Sequence, residues 1–129
     1  MRLLLDTHTL LWWLTENSSL PASARKPIGS RNSQVMVSAA SAWEIATKVR
    51  LGRLDVADDL ARDFGGYMAR ERFESLSIST EHGIRAGSLP GSHKDPFDRM
   101  LVAQAQIEGL AIVSNDALLD GYGVSRVWS

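Results

Sequence analysis

Short apolar runs alternate with helix-like stretches along this chain, and that alternation restricts the fold to an α/β class with a mainly parallel central sheet flanked by helices. Leu3-Leu4-Leu5, Val35-Met36-Val37 and the run from Leu110 to Val113 are brief and apolar, as strands covered on both faces must be. Leu76-Ser77-Ile78 and residues 124–127 complete the strand candidates. Between them the pattern predicts helices over 7–16, 21–28, 41–49, 58–72, 80–86 and 95–109. The last has the clearest start, an Asp cap followed by Pro at the first helical position. Gly65-Gly66 weakens the middle of the 58–72 helix, and Leu51-Gly52-Arg53-Leu54 closes the one before it. Residues 29–33 read as a turn, 87–94 as a loop and 115–119 as a short helical turn. With 129 residues and no repeat or linker, residues 1–129 are expected to form a single domain.

The chain has no cysteine, which excludes disulfides and thiolate metal sites. Its first segment reaches Asp6 after only three leucines, too short an apolar stretch for a signal peptide, and no later run could span a bilayer. A cytoplasmic protein with no membrane partner is expected. The formal net charge of −1 offers no global attraction to a polyanion. Any such substrate must be met by local basic residues or by a metal ion.

The placement of the acids carries the functional signal. Asp6 directly follows the first strand, and Asp116 stands just beyond the strand ending at Val113. Glu44 is expected in the first turn of the helix after the second strand, and Asp98 in the first turn of the helix running back toward the fourth. In a parallel sheet, strand ends and the starts of the returning helices share one edge, where open α/β sheets bind ligands. The four carboxylates therefore converge on one rim. Each also has a local use. Ser41-Ala42-Trp43-Glu44 matches a capping box, and Asp95-Pro96-Phe97-Asp98 matches a cap followed by an acid that complements the helix dipole. Asp6 can cap the helix after it, and Asn115-Asp116 can form a turn.

Gathered together, the acids need a counter-charge. Two carboxylates about 5 Å apart, at an effective dielectric near 20, repel by roughly 3 kcal/mol before screening. Oxygen ligands without cysteines or paired histidines favour Mg²⁺ or Mn²⁺ over zinc. Such an ion leaves positions for water and a substrate phosphate, so phosphodiester hydrolysis is the natural reaction class. A metal-free mechanism needs a nucleophile beside a base, and the sequence offers none. His8, two residues beyond Asp6, is expected to face another way. His82 and His93 read as surface or loop residues, His93 the better placed because it precedes Lys94-Asp95.

Four blocks of the sequence resemble PIN-domain proteins of the VapC toxin type. They are Leu4 to Trp13 (LLDTHTLLWW), Ser38 to Lys48 (SAASAWEIATK) followed by Gly52-Arg53-Leu54, His93 to Ala105 (HKDPFDRMLVAQA), and Ile112 to Asp116 (IVSND). They occur in the family's order and span essentially the whole chain, and the segment from Tyr122 to Trp128 also fits. The resemblance implies a PIN-like fold, a Mg²⁺-dependent ribonuclease (Mn²⁺ also serving), an RNA substrate, a cognate antitoxin encoded adjacently, and a homodimer. Asp6, Glu44, Asp98 and Asp116 match the family's acidic quartet, as metal-holding and catalytic residues. Thr7 and Ser114 match small hydroxyl positions beside the acids. Asp95 is read as the helix cap, with a direct metal role as the alternative. Asn115 falls where relatives often carry a basic residue.

Among the basic residues near the rim (Lys48, Arg50, Arg53, Lys94 and Arg99), Lys48 and Arg99 are the candidate substrate contacts, although Lys48 can simply pair with Glu44 at i,i+4. Trp12, Trp13 and Trp43 are assigned to core or dimer packing rather than base stacking. Other readings fit less well. A haloacid-dehalogenase-like phosphotransferase also begins with a strand and an Asp, but wants a second Asp where His8 stands. A receiver-like signalling domain wants its Asp after a middle strand, where Ser38 stands. A non-catalytic PIN-fold binding module would not need the intact quartet.

Overall fold

The computed structural model describes residues 1–53, 57–91 and 93–128. Its strands are β1 (Arg2–Leu5), β2 (Gln34–Ser38), β3 (Glu74–Leu76), β4 (Ala111–Val113) and β5 (Arg126–Val127). They form one sheet in the order β3-β2-β1-β4-β5, every pair parallel. The helices are α1 (Thr7–Leu14), α2 (Ala22–Gly29), α3 (Ala39–Arg50), α4 (Asp58–Arg62), α5 (Phe64–Glu71), α6 (Thr80–Ser88) and α7 (Pro96–Glu108), with a 3₁₀ helix over Ala117–Tyr122. No helix among the described residues is long and apolar enough to cross a membrane.

The central strand explains the unbroken leucines. Leu3 pairs with Val35 on one side and Ala111 on the other, and Leu5 with Val37 and Val113. Side chains alternate across a strand. Leu3 and Leu5 therefore enter one core with Leu10, Ile45 and Val113, while Leu4 enters the other with Leu101, Val102 and Ile112. All three leucines are fully buried. α7 starts and stops as its sequence requires. Asp95 Oδ1 accepts the N–H groups of Phe97 and Asp98 at 2.9 and 3.3 Å, and Gly109 ends the helix at φ 68°.

Several elements differ from the expected pattern. The third strand lies over Glu74–Leu76, not Leu76 to Ile78. Both windows alternate, but β2 pairs Met36, Val37 and Ser38 with Glu74, Ser75 and Leu76, which leaves Ile78 40% exposed. The 58–72 helix is two helices, broken at Asp63 (φ −135°, ψ 49°) rather than at the glycines. α6 is capped by Ser79 and runs past the expected end at residue 86 to Ser88. Its capping box is closed by His82, which is buried rather than a surface residue. His82 Nδ1 accepts the Ser79 N–H at 3.0 Å, so Nε2 carries the proton donated to Glu108 at 2.9 Å. Leu54, expected in the closure after α3, lies outside the described residues.

The most consequential difference is at α3. Its cap is Ser38, whose Oγ accepts the Ala40 N–H at 3.0 Å, so β2 passes straight into the helix. Glu44 therefore stands in the second turn, not the first, and the Ser41-to-Glu44 capping box does not form. The carboxylate is left free of the backbone.

The β3 register has a direct test. Leu76→Ala should cost about 2 kcal/mol through lost burial, whereas Ile78→Ser should stay within about 0.5 kcal/mol. Urea denaturation of both variants checks this, and the opposite ranking would restore the Leu76-to-Ile78 strand.

Candidate active site

Parallel pairing sends every strand end to one edge of the sheet, and the acids collect there. Asp6 follows β1, its backbone N–H bonded to Val113 O of the neighbouring strand at 3.2 Å. Asp116 follows β4, Glu44 comes from α3, and Asp98 from the first turn of α7. These four line one cleft of about 430 Å³, with Thr7, Lys48 and Asp95 beside them.

Each carboxylate is held by a specific donor. Asp6 Oδ1 caps α1, accepting the Thr9 N–H at 2.7 Å. Asp116 Oδ1 accepts the Leu118 N–H at 3.0 Å, starting the 3₁₀ helix. The buried Ser114 hydroxyl accepts the Asp116 N–H at 3.0 Å and so fixes the turn that delivers this acid. Glu44 is held without the main chain. Thr7 Oγ1 donates to its Oε1 at 2.6 Å, and Lys48 Nζ donates to its Oε2 at 2.8 Å. With its one proton directed to Glu44, the Thr7 hydroxyl can only accept from Ser41 Oγ, 3.1 Å away.

Asp98 shows the electrostatic cost of the arrangement. Burial is the largest influence raising its carboxyl above the ordinary value of 3.8. The hydrogen bond with His93 opposes this, and the charges of Asp95 and Asp116 add to it. One ligand atom each from His93, Asp98 and Asp116 lie within 4.8 Å of one another. A half-buried group of carboxylate oxygens and an imidazole, with one acid already disfavouring its charge, is a donor set that fits a divalent cation.

The structure thus brings together seven of the residues singled out in the sequence: Asp6, Thr7, Glu44, Lys48, Asp95, Asp98 and Asp116. Ser114 supports them from behind. Arg99 is not brought to the cleft. Its guanidinium donates to the carbonyls of Ala86 at 3.1 Å, His93 at 3.0 Å and Leu89, tying down the loop before α7. Two histidines were less legible. His8 lines the cleft after all, because α1 begins at Thr7 and places it in the first turn. His93 Nε2 lies 3.0 Å from Asp98 Oδ2 across the helix start. That separation of five residues is no helical spacing, so periodicity carries no sign of the contact.

The model of the PIN domain family matches residues 3–123. The chain belongs to the PIN domain family. It is similar to a curated relative, Ribonuclease VapC22 of Mycobacterium tuberculosis, at 28% identity over 129 residues and 97% of each chain. Among solved structures it resembles VapBC2 from Rickettsia felis bound to a DNA fragment from their promoter (TM-score 0.75, 14% identity, 100% of both chains). It also resembles VapBC-1 from nontypeable Haemophilus influenzae (TM-score 0.64, 13% identity, 98% of this chain and 96% of that one). These structural likenesses are of fold.

The raised Asp98 value has a consequence for stability. The folded state holds this proton more tightly than the unfolded chain does, so the benefit is full below about pH 3.8 and is lost as pH rises through the folded value. At pH 7 in EDTA the ionised carboxylate is a net burden that Asp98→Asn removes. It forfeits a helix-dipole benefit of about 0.3–1 kcal/mol, less than the relieved cost of burying the charge and of its repulsion by Asp95 and Asp116. The variant should therefore melt about 2–4 °C above the parent at pH 7, a shift worth roughly 1 kcal/mol in a domain of this size, and converge with it near pH 3. Melting curves across that range decide. A variant that melts lower at pH 7 would leave Asp98 serving only its helix.

Proposed function

We propose that this PIN domain is a metal-dependent ribonuclease that hydrolyses RNA phosphodiester bonds and acts as the toxin of a toxin–antitoxin pair. The observation that carries this reading is the convergence of Asp6, Glu44, Asp98 and Asp116 on one cleft at the edge of the parallel sheet. The relative named a ribonuclease supports RNA as the substrate. The VapBC assemblies with the same fold support an antitoxin partner. We further propose a divalent cation, Mg²⁺ or Mn²⁺, as the cofactor, a homodimer as the assembly and the cytoplasm as the location.

The four acids would hold the ion. When bound, it supplies Lewis-acid stabilisation of phosphate charge and an activated water for in-line attack. The chain supplies preorganisation. Thr7 and Lys48 fix the Glu44 carboxylate from both sides, so its orientation is set before substrate arrives. Asp95 pins the first turn of α7 and with it the position of Asp98. Ser114 does the same for Asp116. Lys48, in the cleft, is the contact we assign to the substrate phosphate. Arg99 has its donors on main-chain carbonyls and is assigned to the loop instead.

Asp6→Asn or Asp98→Asn should reduce RNA cleavage at least about a hundredfold, exceeding the loss usual for groups that only support a metal ligand, and should abolish growth arrest while the protein stays folded. Cleavage should require Mg²⁺ or Mn²⁺ and stop in EDTA. Undiminished cleavage by Asp98→Asn would overturn that residue's role, and full activity in EDTA would overturn the metal.

The partner has its own test. An antitoxin segment that inserts into the cleft and meets Lys48 would exclude both RNA and solvent. The complex purified with the product of the adjacent gene should cleave RNA at least about tenfold more slowly than the free chain, as occupancy of a blocked site demands. A complex as fast as the free protein would refute insertion into the cleft.

A further inference from the structure

Among the described residues, His93 brings a ligand atom within 4.8 Å of two of the cleft's acids, Asp98 and Asp116, and its position is built rather than incidental. The loop that carries it is fastened from two sides. Arg99 binds the carbonyl of His93 at 3.0 Å and those of Leu89 and Ala86. On the other side the His93 ring meets Tyr122 edge-on at 6.4 Å, at the end of the 3₁₀ helix that Asp116 begins. Gly91, at φ 94°, takes a backbone conformation that L side chains rarely adopt, beside the Tyr122 hydroxyl. The side chain is 19% exposed, so it is neither sealed in the core nor free in solvent.

The distances then suit a shared ion. Two ligands each about 2.1 Å from one ion stand about 3.0 Å apart when cis and about 4.2 Å apart when trans. His93 Nε2 and Asp98 Oδ2 are 3.0 Å apart, and the set including Asp116 lies within 4.8 Å. Only a small contraction separates this arrangement from coordination. We infer that His93 is a direct ligand of the cleft's cation, alongside Asp98 and Asp116, and that it biases this protein toward Mn²⁺ over Mg²⁺. The chemical reason is ligand type. Mg²⁺ strongly prefers oxygen donors and gains little from an imidazole, whereas Mn²⁺, though the weakest nitrogen binder of the first transition row, accepts an imidazole beside carboxylates. The inference rests on the metal-dependent reading of the same cleft.

The test uses the full chain and Mn²⁺ alone, without RNA. Pulsed electron paramagnetic resonance of the bound ion should show ¹⁴N coupling from a directly bound imidazole. The coupling should vanish in His93→Gln and persist in His8→Gln, which removes the cleft's other imidazole. Titration should show Mn²⁺ binding weakened by about tenfold or more in His93→Gln and Mg²⁺ binding by less than about threefold. Mn²⁺ bound without nitrogen coupling, or with coupling that survives His93→Gln, would reduce His93 to a hydrogen-bond partner of Asp98 and overturn the inference while the metal reading stands. A wild-type chain that binds no Mn²⁺ would overturn both. The spectrum of the wild-type protein keeps the question decidable even if a variant fails to fold.

Discussion

Parallel pairing of β1 with both β2 and β4 is the constraint from which the rest of the molecule follows. Because Leu3, Leu4 and Leu5 are buried on both faces, helices must cover both sides of the sheet. Because both neighbours run in the same direction, the chain must return to the opposite edge after every strand. Each return begins with a polar turn at the carboxyl edge, and there the sequence can place acids without placing them in the core. Asp6, Ser38 and Asp116 each begin the element that follows a strand, so the local need for a cap and the gathering of polar groups at one edge are the same event.

That double use explains why the capping and metal-holding readings of these acids do not exclude each other. Asp6 Oδ1 accepts the Thr9 N–H, and Asp116 Oδ1 accepts the Leu118 N–H. In both, the backbone hydrogen bond orients the carboxylate at the cleft. Glu44 differs. It stands in the second turn of α3, and its partners among the described residues are the side chains of Thr7 and Lys48, with no main-chain donor. An acid buried to 9% exposure and bound solely by other cleft residues has no helix-capping purpose. It is the strongest single indication that the cluster exists for a ligand.

Much of this was legible from the sequence, for reasons that can be named. The leucine run, the Asp95-Pro96 start and the Gly109 stop are local signals, and local chemistry decides them. The sheet edge could be inferred because parallel topology leaves few alternatives. What escaped depends on partners distant in sequence. The β3 register is chosen by pairing with β2, not by alternation within residues 74–78. His82 is buried because Glu108, 26 residues later, waits for its Nε2. His93 reaches Asp98 only because Arg99 folds the loop back, and an arginine beside an acid reads as a surface clamp until its carbonyl acceptors are seen. Ser38 was overlooked as a cap because Ser41 and Glu44 mimic a better one three residues on.

The charges around the cleft add a final constraint on how it meets a polyanion. Five carboxylates line it (Asp6, Glu44, Asp95, Asp98 and Asp116) against one lysine, and that lysine is paired with Glu44. Two arginines near the cleft are already engaged. Arg99 is bound to carbonyls, and Arg126 donates to Ser114 O and to both oxygens of Asp120, holding that carboxyl below its ordinary range. A phosphate approaching this rim would meet net repulsion of the order that two close carboxylates impose, roughly 3 kcal/mol before screening. On the proposed metal-dependent reading, a cation held among the acids would supply most of the attraction, with Lys48 adding a contact, so binding of metal and of phosphate would be coupled rather than independent events. The charges would then set the order: the acids would attract the cation first, and the cation would convert a repulsive rim into one that a phosphodiester can enter.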